Sequence, residues 1–568
     1  MNMQSVANID VEMEGGSAAR LRQNLEVLGG VQPDLAARLG QAGFHENLQV
    51  REDEKGTRRV GRPFRRRWLA IEETEEELSR PAPFVQRQGG AGWFLLGLGT
   101  GERARALLSE LPDDETLTVW EPDPALMLLA LSRWNVSGEL MAGRLRLLLG
   151  SDLVGQGPHN PARWIHHPKL APTWPWVVRL VAEEPQRDRP LVAIMEGELL
   201  VEDLSLALHG QGRPVYHVDA TVLTRDQIAD ELGRLAPERI LSINFQPELA
   251  HIAGELEIPY VPWEIDPSAS TIPVIAADSP AAQWTRIRTW RRRRVTELAN
   301  RGWPRAKWLP LAVSPRHRQS APSPREDLRD HVIFVGSCMA SQGRVLWAML
   351  EDAVASDWGR ASAWRAFGAA VTELESRILD APTVFDPLAV LDALRKQFEL
   401  PEAVPTPHGE ALVAILAGER LASAKRIGVL RALGEFELAV FGEEDWAQVL
   451  PAGAYRGWAG HGSALNAIYS APGIHIDVNR IYQPDIVTLR TFEITACGGF
   501  LVAEETDEIH ELFDVGRELA TWKTTGQLIE RVREALENPE LRRAVGDAGK
   551  HRLLRDHTVE RRLQSLMD

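Results

Sequence analysis

Tyr482-Gln483-Pro484-Asp485-Ile486-Val487-Thr488-Leu489-Arg490-Thr491-Phe492-Glu493-Ile494-Thr495-Ala496-Cys497-Gly498-Gly499-Phe500-Leu501-Val502 is the stretch whose reading decides the fold. It runs acid, arginine, acid, then paired glycines and an apolar run. That order predicts a helix, a Gly-Gly turn and a strand. Asp485 and Glu493 are eight residues apart, so on a helix they return to nearly the same face about two turns along. Two carboxylates on one face suit the grip of sugar hydroxyls. Arg490 and Glu493, three apart, are neighbours on that helix. Phe492, Ile494 and Ala496 imply that it is mostly buried, and a buried arginine is either paired or bound to an anion. Gly498 and Gly499 allow the backbone a close approach to a ligand.

Working outward, the same alternation of strand and helix recurs along the chain. His331 to Val335 reads as a strand that runs into Gly336-Ser337. A helical region from Arg344 to Leu433 follows, broken near Pro401 to Pro407. Strands return at Phe436 to Phe441, Gly473 to Asn479 and Leu501 to Ala503. Helices close the chain at Gln527 to Leu536 and Glu540 to Arg555, and polar tail segments ending in His557-Thr558 and Arg561-Arg562 look like a terminal helix that could pack back across a cleft. Earlier, Leu191 to Met195, Pro214 to Asp219, Arg239 to Asn244 and Ile258 to Pro267 form a second strand–helix series. Pro304 to Pro324, proline-rich and polar, reads as an interdomain linker. Earlier still, Trp93 to Leu96 enters Gly97-Leu98-Gly99-Thr100-Gly101, then a helix, then Leu117 to Trp120 ending in Glu121-Pro122-Asp123-Pro124. Strand, glycine turn, helix, strand and acid open a doubly wound parallel unit. The fold class is therefore α/β. The expected domains are 1–88, a helical or irregular extension; 89–187, Rossmann-like; 190–315; and 325–568, with a helical insertion at about 345–433.

The 568 residues suffice for roughly three or four domains. A hydrophobic fraction of 44% and a charged fraction of 25% are those of a soluble globular chain. The net charge of −16 argues against a general nucleic-acid or membrane-surface binder, which needs a basic face. Two basic runs, Arg291 to Arg294 and Arg58 to Arg67, read as solvated helix faces, or else as sites for phosphate or an acidic partner. Cys338 and Cys497 are the only cysteines, too few for a structural zinc site, and fit a reducing compartment. No secretory pattern and no membrane-spanning run is visible, so a cytoplasmic location is expected.

Arg490-x-Phe492-Glu493-x-x-Ala496-Cys497-Gly498-Gly499 resembles the signature of spore-maturation-type, group 1-like glycosyltransferases. So do Phe334-Val335-Gly336-Ser337, Phe441-Gly442, Tyr455-Arg456-Gly457, Ile476-Asp477-Val478-Asn479-Arg480, Glu511-Leu512-Phe513, Asn538-Pro539-Glu540 and His557-Thr558. The resemblance covers roughly residues 190 to 568. It implies a GT-B pair of Rossmann-like domains, preceded by an additional Rossmann-like, methyltransferase-like domain. It implies that Glu493 binds the ribose of a nucleotide sugar and that Arg490 and Gly336 meet the diphosphate. It also implies donor-side places for Ser337, Arg344, Asn479, Asp485, Gly498 and Gly499. Asp485 stands where related GT-B enzymes carry the first glutamate of an E-x7-E pattern. By residue type alone, Gly336-Ser337 is either a phosphate cradle or a plain turn, and Arg344 either an anion ligand or a surface arginine. GT-B enzymes usually need no metal or other resident cofactor; the donor is UDP-, GDP- or CMP-linked.

For the acceptor side, the candidates for a general base are His217, Asp219 and Asp266, all at predicted strand ends. Each is equally readable as a turn residue or a satisfied core polar group. The unit with Gly97, Gly99, Gly101 and Glu121 resembles the cofactor-binding start of class I methyltransferases, in which the acid binds the ribose of S-adenosylmethionine. A similar unit ending in Glu-Pro-Asp-Pro occurs in motility-associated flagellin glycosyltransferases. The expected activity is transfer of a sugar from a nucleotide sugar to an acceptor hydroxyl, a protein Ser or Thr such as flagellin. The alternatives are an S-adenosylmethionine-dependent methyltransferase using residues 92–150, and a non-catalytic nucleotide-sugar-binding module.

Overall fold

The computed structural model describes residues 7–8, 16–52, 56–64, 67–86, 91–156, 161–182, 189–265, 272–355, 361–382, 387–406, 409–481 and 485–568. The chain divides into two compact units. One is Met1–Ser242 with His251–Tyr260, and the other is Ile243–Ala250 with Val261–Asp568. The division thus runs inside the 190–315 segment.

In the first unit, the helices Gly16–Val31 and Pro33–Gln41 are joined by an antiparallel sheet that the sequence reading did not anticipate. Its strands are Ala7–Asn8, Gln49–Glu52, Arg58–Phe64 and Arg67–Ala70 in that order. Within the Arg58 to Arg67 run, the described residues Arg58–Phe64 and Arg67 are therefore strand rather than helix. They lack period-3.6 apolar spacing, and Val60, Gly61 and Arg62 are buried in succession, Arg62 at 3% exposure. The glycine-rich unit folds as read. Leu117–Glu121 lies between Trp93–Leu96 and Leu145–Leu149, all parallel, with Arg163–His166 parallel on the other side of Trp93–Leu96 and Phe84–Gln86 antiparallel at the edge. Every residue of Trp93–Leu96 and of Leu117–Glu121 is buried, as a central parallel strand covered on both faces requires. Val192–Met195 pairs in parallel with Val215–Val218 on one side and Arg239–Ile243 on the other.

The second unit contains an all-parallel five-stranded sheet in the order Leu438–Phe441, Val332–Val335, Ile474–Ile476, Phe500–Glu504, Ala520–Trp522. Phe334, Val440, Ile476, Val502 and Trp522 form its core. The chain leaves Val332–Val335 for a neighbour on one side and later for neighbours on the other. The crevice at that switch point lies off the carboxyl end of Val332–Val335. Between this strand and Leu438–Phe441 the chain runs through a helical segment. It comprises the helices Ala340–Ala355, Ala361–Asp380, Pro387–Gln397 and Val413–Ala432, around a core that includes Phe367, Leu391 and Leu421. The break near Pro401 is a hairpin of Ala403–Thr406 with Gly409–Leu412. Tyr260–Glu264 continues in parallel to Arg288–Thr289 and Lys307–Trp308.

The middle of the 304–324 segment is buried rather than polar surface. Leu309, Leu311, Ala312 and Val313 are all at most 4% exposed. The terminal helix Val559–Met567 lies against them. Arg562 donates from Nε to the Pro310 carbonyl at 2.9 Å and from Nη2 to the Leu311 carbonyl at 3.0 Å. Val559 N–H reaches the Val313 carbonyl at 3.1 Å. The prolines hold the segment extended, and the apolar residues between them find a core. Burial pushes the Arg562 guanidinium down to about 10, with the nearby Asp556 charge partly opposing that fall. Arg562→Ala is expected to lower stability by about 3 kcal/mol, read as a shift of the urea midpoint, because two buried carbonyls lose a charged donor.

Candidate functional site

The switch-point crevice is built by three pieces of the second unit. The first is the turn at Gly336, whose N–H is taken by the Phe441 carbonyl at 2.9 Å and whose carbonyl accepts from Trp446 Nε1 at 2.9 Å. The Gly336 N–H is thus spent on the sheet, and the free-amide cradle expected there is not formed by this residue. What needs glycine is the approach of Arg490: a Cβ on Gly336 would lie 2.8 Å from Arg490 Nη2. The Arg490 guanidinium also sits 5.3 Å from the Phe334 ring centroid.

The second piece is the helix Leu489–Cys497. Thr488 caps its start, accepting from the Thr491 N–H at 3.3 Å, and Gly498 ends it at φ +82°. Arg490 Nη1 donates to Asp477, which is 1% exposed and lies just past the strand Ile474–Ile476. Thr488, Thr491 Oγ1 at 3.1 Å and the Val478 N–H at 2.9 Å complete the shell of Asp477. Burial alone would raise the Asp477 carboxyl; the adjacent Arg490 charge outweighs it and holds the carboxyl below the usual carboxylate range. Arg490 is in turn raised, against its own desolvation, by Asp477.

The third piece is Glu493, one turn on from Arg490. Its Oε1 accepts from Arg318 Nε at 2.8 Å, and Oε2 takes no hydrogen bond among the described residues. Arg318 comes from the more exposed residues that follow the buried Leu311–Ser314 in the 304–324 segment. Arg490 and Glu493, neighbours in helical spacing, are engaged with Asp477 and Arg318 rather than with each other. Asp477 stood in a quoted landmark, but a contact 175 residues away in sequence leaves no local signal.

Asp485 does not share a helix face with Glu493. It precedes the cap Thr488, so the eight-residue spacing spans a turn as well as a helix. Arg291 holds its Oδ1 from Nε at 3.1 Å and Nη2 at 2.9 Å, while Oδ2 is buried without a hydrogen bond. Within the Arg291–Arg294 run, Arg291 and Arg294 turn to buried carboxylates while Arg292 and Arg293 stay exposed. Arg292 pairs with Glu511, and Arg294 Nε donates to the buried Glu264 at 3.1 Å. Asn479 spends its N–H on Glu504 at 2.8 Å and its Nδ2 on the Ile486 carbonyl at 3.0 Å. Ser337 Oγ donates to Glu443 at 2.7 Å and accepts from the Met339 N–H at 2.8 Å. Arg344 is 69% exposed and donates to Ser341 Oγ at 2.8 Å. Gly499 is packed rather than open: a Cβ there would overlap the Tyr469 carbonyl.

His217 and Asp219 belong to the first unit, and Asp266 lies outside the described residues. His217 is 5% exposed, bonded through Nδ1 to Glu196 at 2.7 Å and through Nε2 to Ser205 at 3.0 Å, and stacked on Trp176. Both ring nitrogens are engaged, so it stands as a satisfied core histidine. Asp219 closes a turn on Thr221, accepting from its N–H at 2.9 Å and its Oγ1 at 2.6 Å.

In the glycine loop, Gly97, Gly99 and Gly101 all have left-handed φ, at +95°, +58° and +97°. The loop is closed by its own chain. Glu121, 0% exposed, accepts from the Leu98 N–H at 3.0 Å and the Gly99 N–H at 3.3 Å. His167 Nε2 would lie 2.7 Å from a Cβ on Gly99. Burial pushes the Glu121 carboxyl up to about 8, with the Asp123 charge adding to it, and pushes His167 down to about 3. The acid that would hold a cofactor ribose and the amides beside it are thus engaged with each other, which argues against a cofactor at this loop.

Among the described residues, no cluster of three or more His, Cys, Asp or Glu could hold a metal ion, and no helix is long and apolar enough to cross a membrane. Comparison with curated proteins finds no match. Among solved structures, HepE from Anabaena, in complex with UDP and glucose, is 10% identical over 66% of this chain and 98% of its own, with a TM-score of 0.36. A glycosyltransferase from Rickettsia africae is 9% identical over 67% and 96%, with a TM-score of 0.37. The MAf glycosyltransferase from Magnetospirillum magneticum is 12% identical over 44% and 53%, with a TM-score of 0.21. A model of the family described as "Glycosyl transferase-like" matches residues 425–568. The segment that carries Asp477, Arg490 and Glu493 is therefore glycosyltransferase-like in sequence.

Proposed function

We propose that the protein is a cytoplasmic GT-B glycosyltransferase that moves a sugar from a nucleotide-sugar donor to an acceptor hydroxyl. The observation that carries this reading is Arg490. Its partly buried guanidinium is locked by the buried Asp477 and laid against Gly336 at the switch point of a parallel sheet, with Arg490 and Asp477 inside the glycosyltransferase-like segment. A diphosphate at that point meets Arg490 as the leaving group's charge develops. One turn on, Glu493 Oε2 is placed to accept from ribose hydroxyls while Arg318 keeps the carboxylate oriented. The acceptor oxygen attacks the anomeric carbon, its proton passes to a base, and the nucleotide leaves with the bond electrons. A displacement of this kind moves no redox equivalents, so no resident cofactor is called for. The acceptor read here is a protein Ser or Thr such as flagellin, on the likeness of the Glu121-Pro122-Asp123-Pro124 unit to flagellin glycosyltransferases.

Donor hydrolysis across UDP-, GDP- and CMP-linked sugars tests the reading, followed by transfer to flagellin. At least one donor should be turned over. Glu493→Ala should weaken that donor about tenfold or more, since a buried carboxylate–hydroxyl contact is worth about 1.5–3 kcal/mol. Full nucleotide affinity in Glu493→Ala would refute the ribose role. Donor binding without turnover, with acceptors present, would favour a non-catalytic sugar-nucleotide module.

A further inference from the structure

Trp458 is the one exposed tryptophan among the described residues, at 65%. It lies in Tyr455-Arg456-Gly457-Trp458-Ala459-Gly460-His461-Gly462, where Gly457, Gly460 and Gly462 have φ of +87°, +71° and +59°. A bulky apolar ring held in water costs solvation. Here the loop that carries it is firmly placed. The Val440 N–H reaches the Ala454 carbonyl and the Arg456 N–H the Val440 carbonyl, both at 2.8 Å. The Gly442 N–H meets the Gly457 carbonyl at 3.0 Å, and Tyr455 Oη donates to the Gly442 carbonyl at 3.1 Å. Gly442 in turn lies so close to Gly336 that a Cβ on it would overlap the Gly336 carbonyl. Trp458 is thus one residue from a backbone clamp whose other end is the turn against which Arg490 rests. His461 packs edge-on to the indole, with centroids 5.9 Å apart and planes at 75°. The loop therefore holds an exposed aromatic face on the same sheet end as the proposed diphosphate contacts.

We infer that Trp458 is the stacking platform for the nucleobase of the donor. This rests on the reading of Arg490 as the diphosphate contact. Stacking uses the π-face that every base carries, so it provides affinity with little base preference. Choice between UDP, GDP and CMP donors then falls to contacts other than this ring.

Titration calorimetry with UDP, GDP, CMP and inorganic pyrophosphate tests the inference on the full chain. Trp458→Ala should bind the preferred nucleotide about tenfold more weakly, and Trp458→Tyr close to the wild type. Pyrophosphate, which has no base, should bind Trp458→Ala and wild type alike. Nucleotide should also quench indole fluorescence in the wild type more than in Trp458→Ala. If wild type binds nucleotide and Trp458→Ala binds it equally, the platform is refuted while the donor site stands. Equal weakening of nucleotide and pyrophosphate would assign Trp458 to loop structure and overturn the inference. If wild type binds no nucleotide at all, the donor site itself fails, and the platform with it.

Discussion

Arg490→Ala should both destabilise the second unit and abolish donor binding, and the two losses should be separable. The substitution leaves Asp477 at 1% exposure with only hydroxyl and amide donors. Removing one partner of a buried ion pair costs about 3–5 kcal/mol, because the remaining charge is uncompensated. Asp477→Asn in the same chain removes that charge, so the double variant Arg490→Ala/Asp477→Asn should recover much of the lost stability. Donor affinity should not recover, since no cation then faces the diphosphate. Arg490→Lys keeps the charge but not the fork that reaches Asp477 and Gly336 together, and should fall between. Urea unfolding and nucleotide titration on the three variants provide the separation. Recovery of nucleotide affinity in the double variant would show that Arg490 acts only through the fold.

The second large effect is a pH dependence centred on the glycine loop. The Glu121 carboxyl is raised from 4.5 to about 8 by burial and by Asp123, so the fold prefers it protonated. Its favourable contribution is fully present below about pH 4.5 and is lost as pH rises through about 8. The span corresponds to on the order of 5 kcal/mol between those limits. Glu121→Gln cannot ionise, so this component of the slope should vanish in the variant. The stability difference between the two proteins should shift in favour of Glu121→Gln by several kcal/mol from pH 5 to pH 8. Thermal unfolding of both across that range measures it. A difference that stays constant with pH would mean that Glu121 ionises as readily folded as unfolded.

Much of this architecture could be read from local pattern. Trp93–Leu96, Leu117–Glu121, Val332–Val335 and Phe500–Glu504 are short apolar runs that end at glycine or acid, and all four are parallel strands. The helix Leu489–Cys497 was legible from its apolar spacing and the Gly498 stop. What escaped local pattern were elements set by partners far away in the chain. Arg58–Phe64 lacks strong strand composition and becomes a strand through its pairing with Gln49–Glu52 and Arg67–Ala70. The 304–324 segment looked solvated because its prolines and charges hide four apolar residues that the terminal helix covers. At the site, Arg490 and Glu493 were legible as residues but not as a pair: each is engaged elsewhere, with Asp477 and Arg318. Asp485 and Glu493 matched helical spacing in number only, because the helix starts after Asp485. The glycine loop had the pattern of a ligand cradle, and no pattern in the chain announced that Glu121 and His167 would fill it.

The central claim is a nucleotide site at the second unit's sheet rather than a cofactor site at the glycine loop of the first. Titration calorimetry of the full chain with UDP, GDP, CMP and S-adenosylmethionine tests that choice most directly. At least one nucleotide should bind, Arg490→Ala should lose it, and S-adenosylmethionine should give no heat. Binding of S-adenosylmethionine with no response to any nucleotide would contradict it.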